Sequence, residues 1–253
     1  LTLTEAAVKA AKVASISTSD SVDYLTTAIN GFKMSAEDAM DVSDRFAALA
    51  ASSATSYEEL AIALSKTASQ ANLAGMSMDY TLGLLAKGIE TTREAPETIG
   101  TALKTVIARM REISDYGETL DGETNINNVE QNLSYVGIQL RNVSGELRST
   151  EDVLDELGRK WDTLSSNQQA AIARSLAGTR QQSRLISMMN DYQRTLELVE
   201  ISERSNGATA AQAATYMLGM EAAINKVTVA GEKLITALTN SEALIAIVDF
   251  VGE

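Results

Sequence analysis

Apolar residues recur at every third or fourth position along most of this chain, the spacing that places them on one face of an α-helix. One such stripe consists of Ala39, Val42, Phe46 and Leu49. A longer stripe consists of Ile99, Leu103, Val106, Ile107, Met110 and Ile113. The pattern predicts an all-α fold, in which an array or bundle of short helices buries these faces in a common core.

Predicted helix starts are marked by residues that satisfy the backbone N–H groups left unpaired in a first turn. Ser56 with Glu59 has the spacing of a capping box, in which the hydroxyl and the carboxylate each accept a backbone N–H group. Ser166 with Gln169 has the same spacing, with an amide in place of the carboxylate. We therefore predict that helices begin at these two serines.

Predicted helix ends are marked by glycine, which takes the left-handed conformation of a C-terminal cap at little steric cost. Gly88 and Gly178 each follow an apolar stripe and are predicted to end a helix. Pro96 fits the first turn of the next helix, because its missing N–H would be unpaired there in any case. The predicted helices are accordingly short.

The pattern changes between residues 116 and 149, where polar and turn-forming residues predict a surface loop. Further on the apolar spacing becomes two, with Ile138 and Leu140 before an Asn-Val-Ser-Gly turn and Leu147 after it. This spacing predicts a small β-hairpin near 138–148. The chain thus divides into an N-terminal helical region 1–115, a loop and hairpin insert 116–149, and a C-terminal helical region 150–253.

A longer helix is predicted over 208–239, where apolar residues step by alternating threes and fours in a heptad pattern. Its apolar members are Met217, Met220, Ile224, Val227, Leu234 and Leu238, with Gly231 at a position between them. The stripe is either a self-association seam between copies of the chain or a face packed on the chain's own helices. A seam of about three heptads does not decide between the two.

The composition argues against an enzyme. Cysteine and histidine are absent, which excludes thiol nucleophiles, histidine-based triads and zinc sites built from these residues. Aromatic residues make up 4% of the chain and there is one proline, as expected for Ala-rich helices and not for strands. The one tryptophan, Trp161, is predicted to be a buried anchor that joins two helices. We predict no catalytic, cofactor-binding or metal-binding residues.

The formal net charge of −13 predicts repulsion from nucleic acid and from anionic membranes. Neighbouring carboxylates such as Asp152 and Glu156, or Glu197 and Glu200, are better explained as exposed helix residues than as a catalytic pair, which would face across a cleft. The methionines at 188, 189, 217 and 220 are more simply core residues than an adaptable binding surface. A cluster of Arg174, Arg180 and Arg184 is expected to make local ion pairs.

No apolar run approaches the roughly 18 residues of a membrane helix. The longest candidate, Leu244 to Val251, is too short and contains Asp249. The chain begins at Leu1 without methionine or a basic leader and stops within this apolar run, so we expect a fragment of a longer polypeptide.

Two blocks of sequence resemble the core region of phage tail tape measure proteins. The first contains E-E-L-A-I-A-L-S-K-T-A-S-Q-A-N-L-A-G-M-S at Glu58–Ser77 and G-T-A-L-K-T-V-I-A-R-M at Gly100–Met110. The second contains Leu157, Trp161 and Leu164, then N-Q-Q at Asn167–Gln169 and L-A-G-T-R-Q at Leu176–Gln181. These motifs occur in the family's order, and the resemblance extends from Tyr24 to Leu238.

This resemblance implies a structural role in the virion. It implies an elongated helical protein, made in the host cytoplasm, that sets tail length as tube subunits polymerise around it and leaves the tail during genome delivery. The implied partners are other copies of the chain, the tail tube protein, tail-tip or baseplate proteins and tail assembly chaperones, with host envelope contact through other parts of the chain. The alternative is a helical interaction module of a bacterial surface or secretion system, which has the same composition and periodicity.

Overall fold

The computed structural model describes residues 3–111 and 126–239. Within these ranges, only the backbone is described for residues 126, 127, 221–223, 225 and 230–239. The helices are α1 (Leu3–Ala14), α2 (Thr18–Phe32), α3 (Ala39–Ser52), α4 (Tyr57–Ser65), α5 (Ala68–Leu73), α6 (Met78–Thr92), α7 (Pro96–Arg111), α8 (Ile126–Tyr135), α9 (Thr150–Lys160), α10 (Ser166–Met189), α11 (Tyr192–Glu203) and α12 (Ala208–Thr239). Short 3-10 helices occupy Ala36–Asp38 and Trp161–Thr163. Ile113, the predicted loop residues 116–125 and residues 240–253 lie outside the described residues.

The all-α prediction is confirmed, but the predicted hairpin at 138–148 is wrong. Among the described residues this segment contributes one isolated antiparallel bridge, between Arg141 and Leu147. Ile138 and Leu140 are buried, whereas Val143 at the tip of the turn is fully exposed. Two strands this short, without a third strand from the described ranges to extend the pairing, do not form a stable ladder of hydrogen bonds.

The capping signals locate most helix starts to within one residue. At α4 the Ser56 hydroxyl accepts the Glu59 N–H at 3.1 Å, and the Glu59 carboxylate accepts the Ser56 N–H at 2.7 Å. Pro96 is the first residue of α7. The capping box of α10 is formed by Ser165 and Gln168, so the prediction of Ser166 with Gln169 was one residue late. Because Ser165 and Ser166 are adjacent, and Gln168 and Gln169 are adjacent, the capping-box spacing fits either Ser–Gln pair.

Glycine has two roles in this fold, and the sequence pattern does not separate them. Gly178 has φ 68° and ψ 172° and interrupts α10, as predicted. Gly88 does not end a helix, because α6 continues to Thr92. A Cβ at Gly88 would lie 2.8 Å from Ile99 Cγ2, so this glycine allows α7 to approach α6 closely. The prediction of a helix end at Gly88 was therefore wrong.

Helix α6 lies at the centre of the core. Its residues from Tyr80 to Ile89 are all buried, and it packs against α4, α5, α7, α10 and α11. Gly83 permits the contact with α11, since a Cβ there would lie 2.5 Å from Val199 Cγ2. A helix enclosed on every side is expected where nearly all of its residues are apolar or small.

Trp161 anchors the C-terminal helices, as predicted from the sequence. Its side chain is fully buried, and its indole Nε1 donates to Asn190 Oδ1 at 2.7 Å. Its carbonyl oxygen accepts the Gln169 Nε2 group at 2.8 Å. One residue thus ties the end of α9 to the first turn of α10 and to the residue that follows α10.

Polar side chains join helices at the edge of the core. Asp79 Oδ1 of α6 accepts from Arg45 Nε of α3 at 2.8 Å and from Ser202 Oγ of α11 at 2.6 Å. The Tyr80 and Tyr192 hydroxyls lie 2.7 Å apart. Burial raises the pKa of both tyrosines, so these hydroxyls remain protonated hydrogen-bonding groups.

The chain divides into two compact units, Leu1–Ala210 and Ala211–Glu253. The first unit contains helices from both the predicted N-terminal region and the predicted C-terminal region. The described part of the second unit is the remainder of α12.

Replacement of Trp161 tests its role as an anchor. Trp161→Ala should lower the free energy of unfolding by about 3–5 kcal/mol, because it leaves a cavity and removes the partner of Asn190. Chemical denaturation followed by circular dichroism measures this loss. Tyr135→Ala, at a side chain that is 73% exposed, is the matched control and should change stability by less than about 0.5 kcal/mol. A loss under about 1 kcal/mol for Trp161→Ala would contradict the assignment.

Replacement of Gly100 tests the close approach of α4 and α7. A Cβ at Gly100 would collide with the Ala63 carbonyl oxygen, and a backbone atom cannot move aside as a flexible side chain can. Gly100→Ala should therefore destabilise the protein by about 1–3 kcal/mol. Gly219→Ala, where no described atom apart from the neighbouring residues and the backbone of the same helix lies within 4 Å of the new methyl group, should be neutral or stabilising by about 0.5–1 kcal/mol. Equal denaturation midpoints for the two variants would contradict this packing.

Candidate self-association surface

The start of α12 is held by a carboxylate from α3. Asp44 is buried, and its two oxygens accept the Gly207 N–H at 2.7 Å and the Thr209 N–H at 2.8 Å. These are N–H groups that a helix start leaves without intrahelical partners. The positive end of the helix dipole also favours the buried negative charge. Asp44 therefore acts as a helix cap supplied from a distant part of the sequence.

Hydroxyl groups extend this cap into the core. Ser43 Oγ and Thr209 Oγ1 lie 3.0 Å apart, and the Tyr57 hydroxyl donates to Ser43 Oγ at 3.2 Å. Burial raises the pKa of Tyr57, which keeps this donor protonated. The first turn of α12 is thus tied to α3 and α4 within the first unit.

The apolar side chains of the predicted seam are exposed where the structure describes them. Met217 is 50% exposed, Ile224 is 57% exposed and Val227 is 73% exposed, and Met220 is exposed to a similar degree. Ala214, Met217, Leu218, Met220 and Ile224 line a shallow apolar depression. The side chains of the two remaining seam residues, Leu234 and Leu238, lie outside the described residues.

Exposed apolar side chains occur on two sides of α12. At 100° per residue, Met217, Met220, Ile224 and Val227 fall on one side, whereas Leu218 and Val229 fall on the other. The charged residues of α12 are Glu221, Lys226, Glu232 and Lys233. A solvent-facing helix ordinarily has charged residues on its outer side, so α12 has the composition of a helix that packs against something.

The methionines fall into two classes. Met188 and Met189 are fully buried and fill the core, as the sequence analysis favoured. Met217 and Met220, for which the same interpretation was favoured, are exposed on α12. Spacing alone does not distinguish these cases, because both pairs follow helical periodicity.

Comparison with known families now identifies the type of protein. The model of the family described as phage-related minor tail protein matches residues 1–178. The chain belongs to this family. The match ends at Gly178, so the part of α10 that follows this break, together with α11 and α12, lies beyond it. No solved structure matches the chain.

Family membership makes this minor tail protein a structural component of the phage tail that assembles with other tail proteins. Among the described residues, no group of three or more acidic side chains could hold a metal ion. No helix of the described ranges is long and apolar enough to cross a membrane.

The carboxylates noted in the sequence take structural roles in the minor tail protein. Glu156 binds Arg148 at 2.8 Å and Lys160 at 3.0 Å, and the hydrogen bond from Arg148 lowers its pKa. Glu200 pairs with Arg204 on the same helix. Of the predicted arginine cluster, Arg184 pairs with Glu94 of the loop before α7. These groups contribute ion pairs to the fold.

The Asp44 cap provides a test of how α12 is held. Asp44→Asn should destabilise the protein by about 1–3 kcal/mol, because an amide replaces one of two acceptor oxygens and leaves a buried N–H without a partner. Hydrogen exchange of the amides at 207–210 should accelerate. Asp41→Asn, the same change at an exposed position of α3, is the control and should leave these amides protected. Unchanged protection in Asp44→Asn would show that the cap does not hold the helix start.

Proposed function

We propose that this minor tail protein is a segment of a tape measure protein. In this role it sets tail length while tube subunits polymerise around it, and it leaves the tail during genome delivery. The family match over residues 1–178 supports a tail component, and the ordered tape measure motifs between Glu58 and Gln181 support the narrower role. The same match favours a phage tail over the alternative of a bacterial surface or secretion module.

We further propose that α12 joins copies of the chain through the seam of Met217, Met220, Ile224, Val227, Leu234 and Leu238. The observation that carries this proposal is the exposure of the described seam residues. When a partner removes apolar area of a helix from water, the complex is stabilised by about 25 cal/mol for each Å² buried. Parallel copies joined along this seam would keep the measuring chains in a common register.

The remaining features of the proposal follow from the tape measure role. The protein would act without catalysis, cofactor or direct nucleic-acid binding. Its partners would be the tail tube protein, tail-tip or baseplate proteins and assembly chaperones, with envelope contact made by other parts of the chain. It would be made in the host cytoplasm and occupy the tube lumen or the tail tip. The three sequence regions 1–115, 116–149 and 150–253 remain our proposed organisation of the chain.

Charge introduced into the seam tests self-association. Ile224→Glu with Val227→Glu places two carboxylates in the apolar stripe, where burial without a partner is strongly unfavourable. Sedimentation should show a shift toward monomer, while circular dichroism shows helical content largely kept. Thr215→Glu with Val229→Glu is the matched control, because both residues are exposed on the other side of α12 and neither lines the apolar depression. The control should associate as the unmodified protein does.

Any of three results would contradict the seam. The first is that the unmodified protein does not associate at any accessible concentration. The second is that the control variant dissociates as much as the seam variant, and the third is that the seam variant unfolds as a monomer. Phage carrying the seam variant should show a broadened distribution of tail lengths or fail to assemble tails. Tails of normal and uniform length would separate the seam from length control.

A further inference from the structure

A groove that contains two exposed lysines lies between the end of α4 and the middle of α7. It is lined by Lys66, Thr101, Lys104, Thr105, Ala108 and Arg109. Gly100 brings the two helices together, since a Cβ there would lie 3.0 Å from Lys66 Cβ. The stem of Lys66 therefore rests on α7, and its ammonium group belongs to the same surface as that of Lys104.

The two lysines differ from the arginines that join helices elsewhere in the unit. Arg45, Arg184 and Arg194 each bind a carboxylate on another segment of the chain. Lys66 and Lys104 are exposed, and neither forms an ion pair with any residue that the structure describes. Lys66 also complements the C-terminal dipole of α4, but Lys104 lies in the interior of α7, where no such role exists.

The hydroxyl groups that line the groove donate their protons to carbonyl oxygens of their own helices, so the lysines are the groups that can donate hydrogen bonds to a ligand. Thr101 donates to the Glu97 carbonyl oxygen at 2.6 Å, and Thr105 donates to the Thr101 carbonyl oxygen at 2.8 Å. Ser65, at the edge of the groove, donates to the Ile62 carbonyl oxygen at 2.7 Å. With these protons engaged in their own helices, an anion in the groove would be held by ammonium groups.

At the Arg109 end of the groove, α7 contacts the break in α10 at Gly178. The Arg109 guanidinium packs over Gly178, with Nη2 3.0 Å from the position that a Cβ would occupy. Three separate stretches therefore meet at this place, namely 58–77, 100–110 and 176–181. These stretches carry part of the resemblance to tape measure proteins, and the fold brings them together around one surface.

We propose that this groove is a docking site for a carboxylate-rich segment of a protein partner. Ammonium groups bind carboxylates as compact point charges, and the lysines have opposite charge to such a segment. A nucleic acid is disfavoured, because the net charge of −13 repels a polyanion at long range and the groove offers few of the many phosphate contacts that such binding needs. The site is independent of the α12 seam and does not rest on the proposed tape measure role.

Binding of labelled poly-L-glutamate to the whole chain tests the proposal. Lys66→Gln with Lys104→Gln should weaken saturable binding about tenfold, as expected for the loss of two exposed charge contacts. Lys12→Gln with Lys226→Gln is the matched control, because it makes the same charge change at exposed lysines outside the groove. The control should bind as the unmodified protein does, and circular dichroism should show that both variants keep the fold.

Three results of these binding measurements would overturn the proposal. Equal weakening in both variants would mean attraction to net charge and not to a site. Absence of saturable binding at low salt would mean no site for carboxylates. Tighter binding of a short DNA duplex that depends on Lys66 and Lys104 would make the groove a nucleic-acid site. Because Ile224→Glu with Val227→Glu should leave poly-L-glutamate binding intact, failure of the seam and failure of the groove are distinguishable.

Discussion

The burial of α6 on all sides is the constraint on which the positions of the neighbouring helices depend. An apolar helix with no exposed face needs partners around its whole circumference, and α6 obtains them from α4, α5, α7, α10 and α11. Gly83 and Gly88 remove side-chain bulk where Val199 of α11 and Ile99 of α7 contact α6. Helices far apart in the sequence are thereby assembled into one unit, Leu1–Ala210.

Polar groups at the margins of this core specify which helix packs where. Lys87 is largely buried and reaches Asp191 Oδ2 at 3.4 Å, while Glu90 pairs with Arg194 at 3.1 Å. Ion pairs of this kind, partly exposed, contribute little net stability, and burial of apolar area supplies most of it. An incorrect packing of α6 against α11 would separate these groups from their partners, so their main effect is on specificity.

The first unit, Leu1–Ala210, and the remainder of α12 expose different chemistry. In the first unit, large apolar side chains are mostly enclosed and several carboxylates are tied to arginine. Among the described side chains of α12, large apolar residues are exposed, and the helix has four charged residues in its sequence. Copies of a chain with net charge −13 repel one another at long range, and the seam that we propose would oppose this repulsion with an attraction that does not depend on charge. The groove at Lys66 and Lys104 instead offers positive charge to a partner rich in carboxylates.

The sequence by itself determined the local features of this protein. Helical periodicity predicted the all-α fold, capping residues located the helix starts at Ser56 and near Ser165, and Trp161 was recognised as a core anchor. Gly178 was correctly predicted as a helix break. These features are readable because hydrogen bonds within a turn and apolar spacing along a helix involve residues only a few positions apart.

Tertiary structure decided what depends on residues distant in the sequence. Gly88 was predicted to end a helix, but close approach of another helix explains it, and a glycine has the same local pattern in either role. The Asp44 cap joins residues 165 positions apart, and the groove forms only when α4 packs on α7. The hairpin at 138–148 did not form, because alternating apolar spacing needs a neighbouring strand to complete its hydrogen bonds. Packing between helices selects among locally equivalent alternatives, since its free energy depends on which surfaces meet and not on the order of residues along one helix.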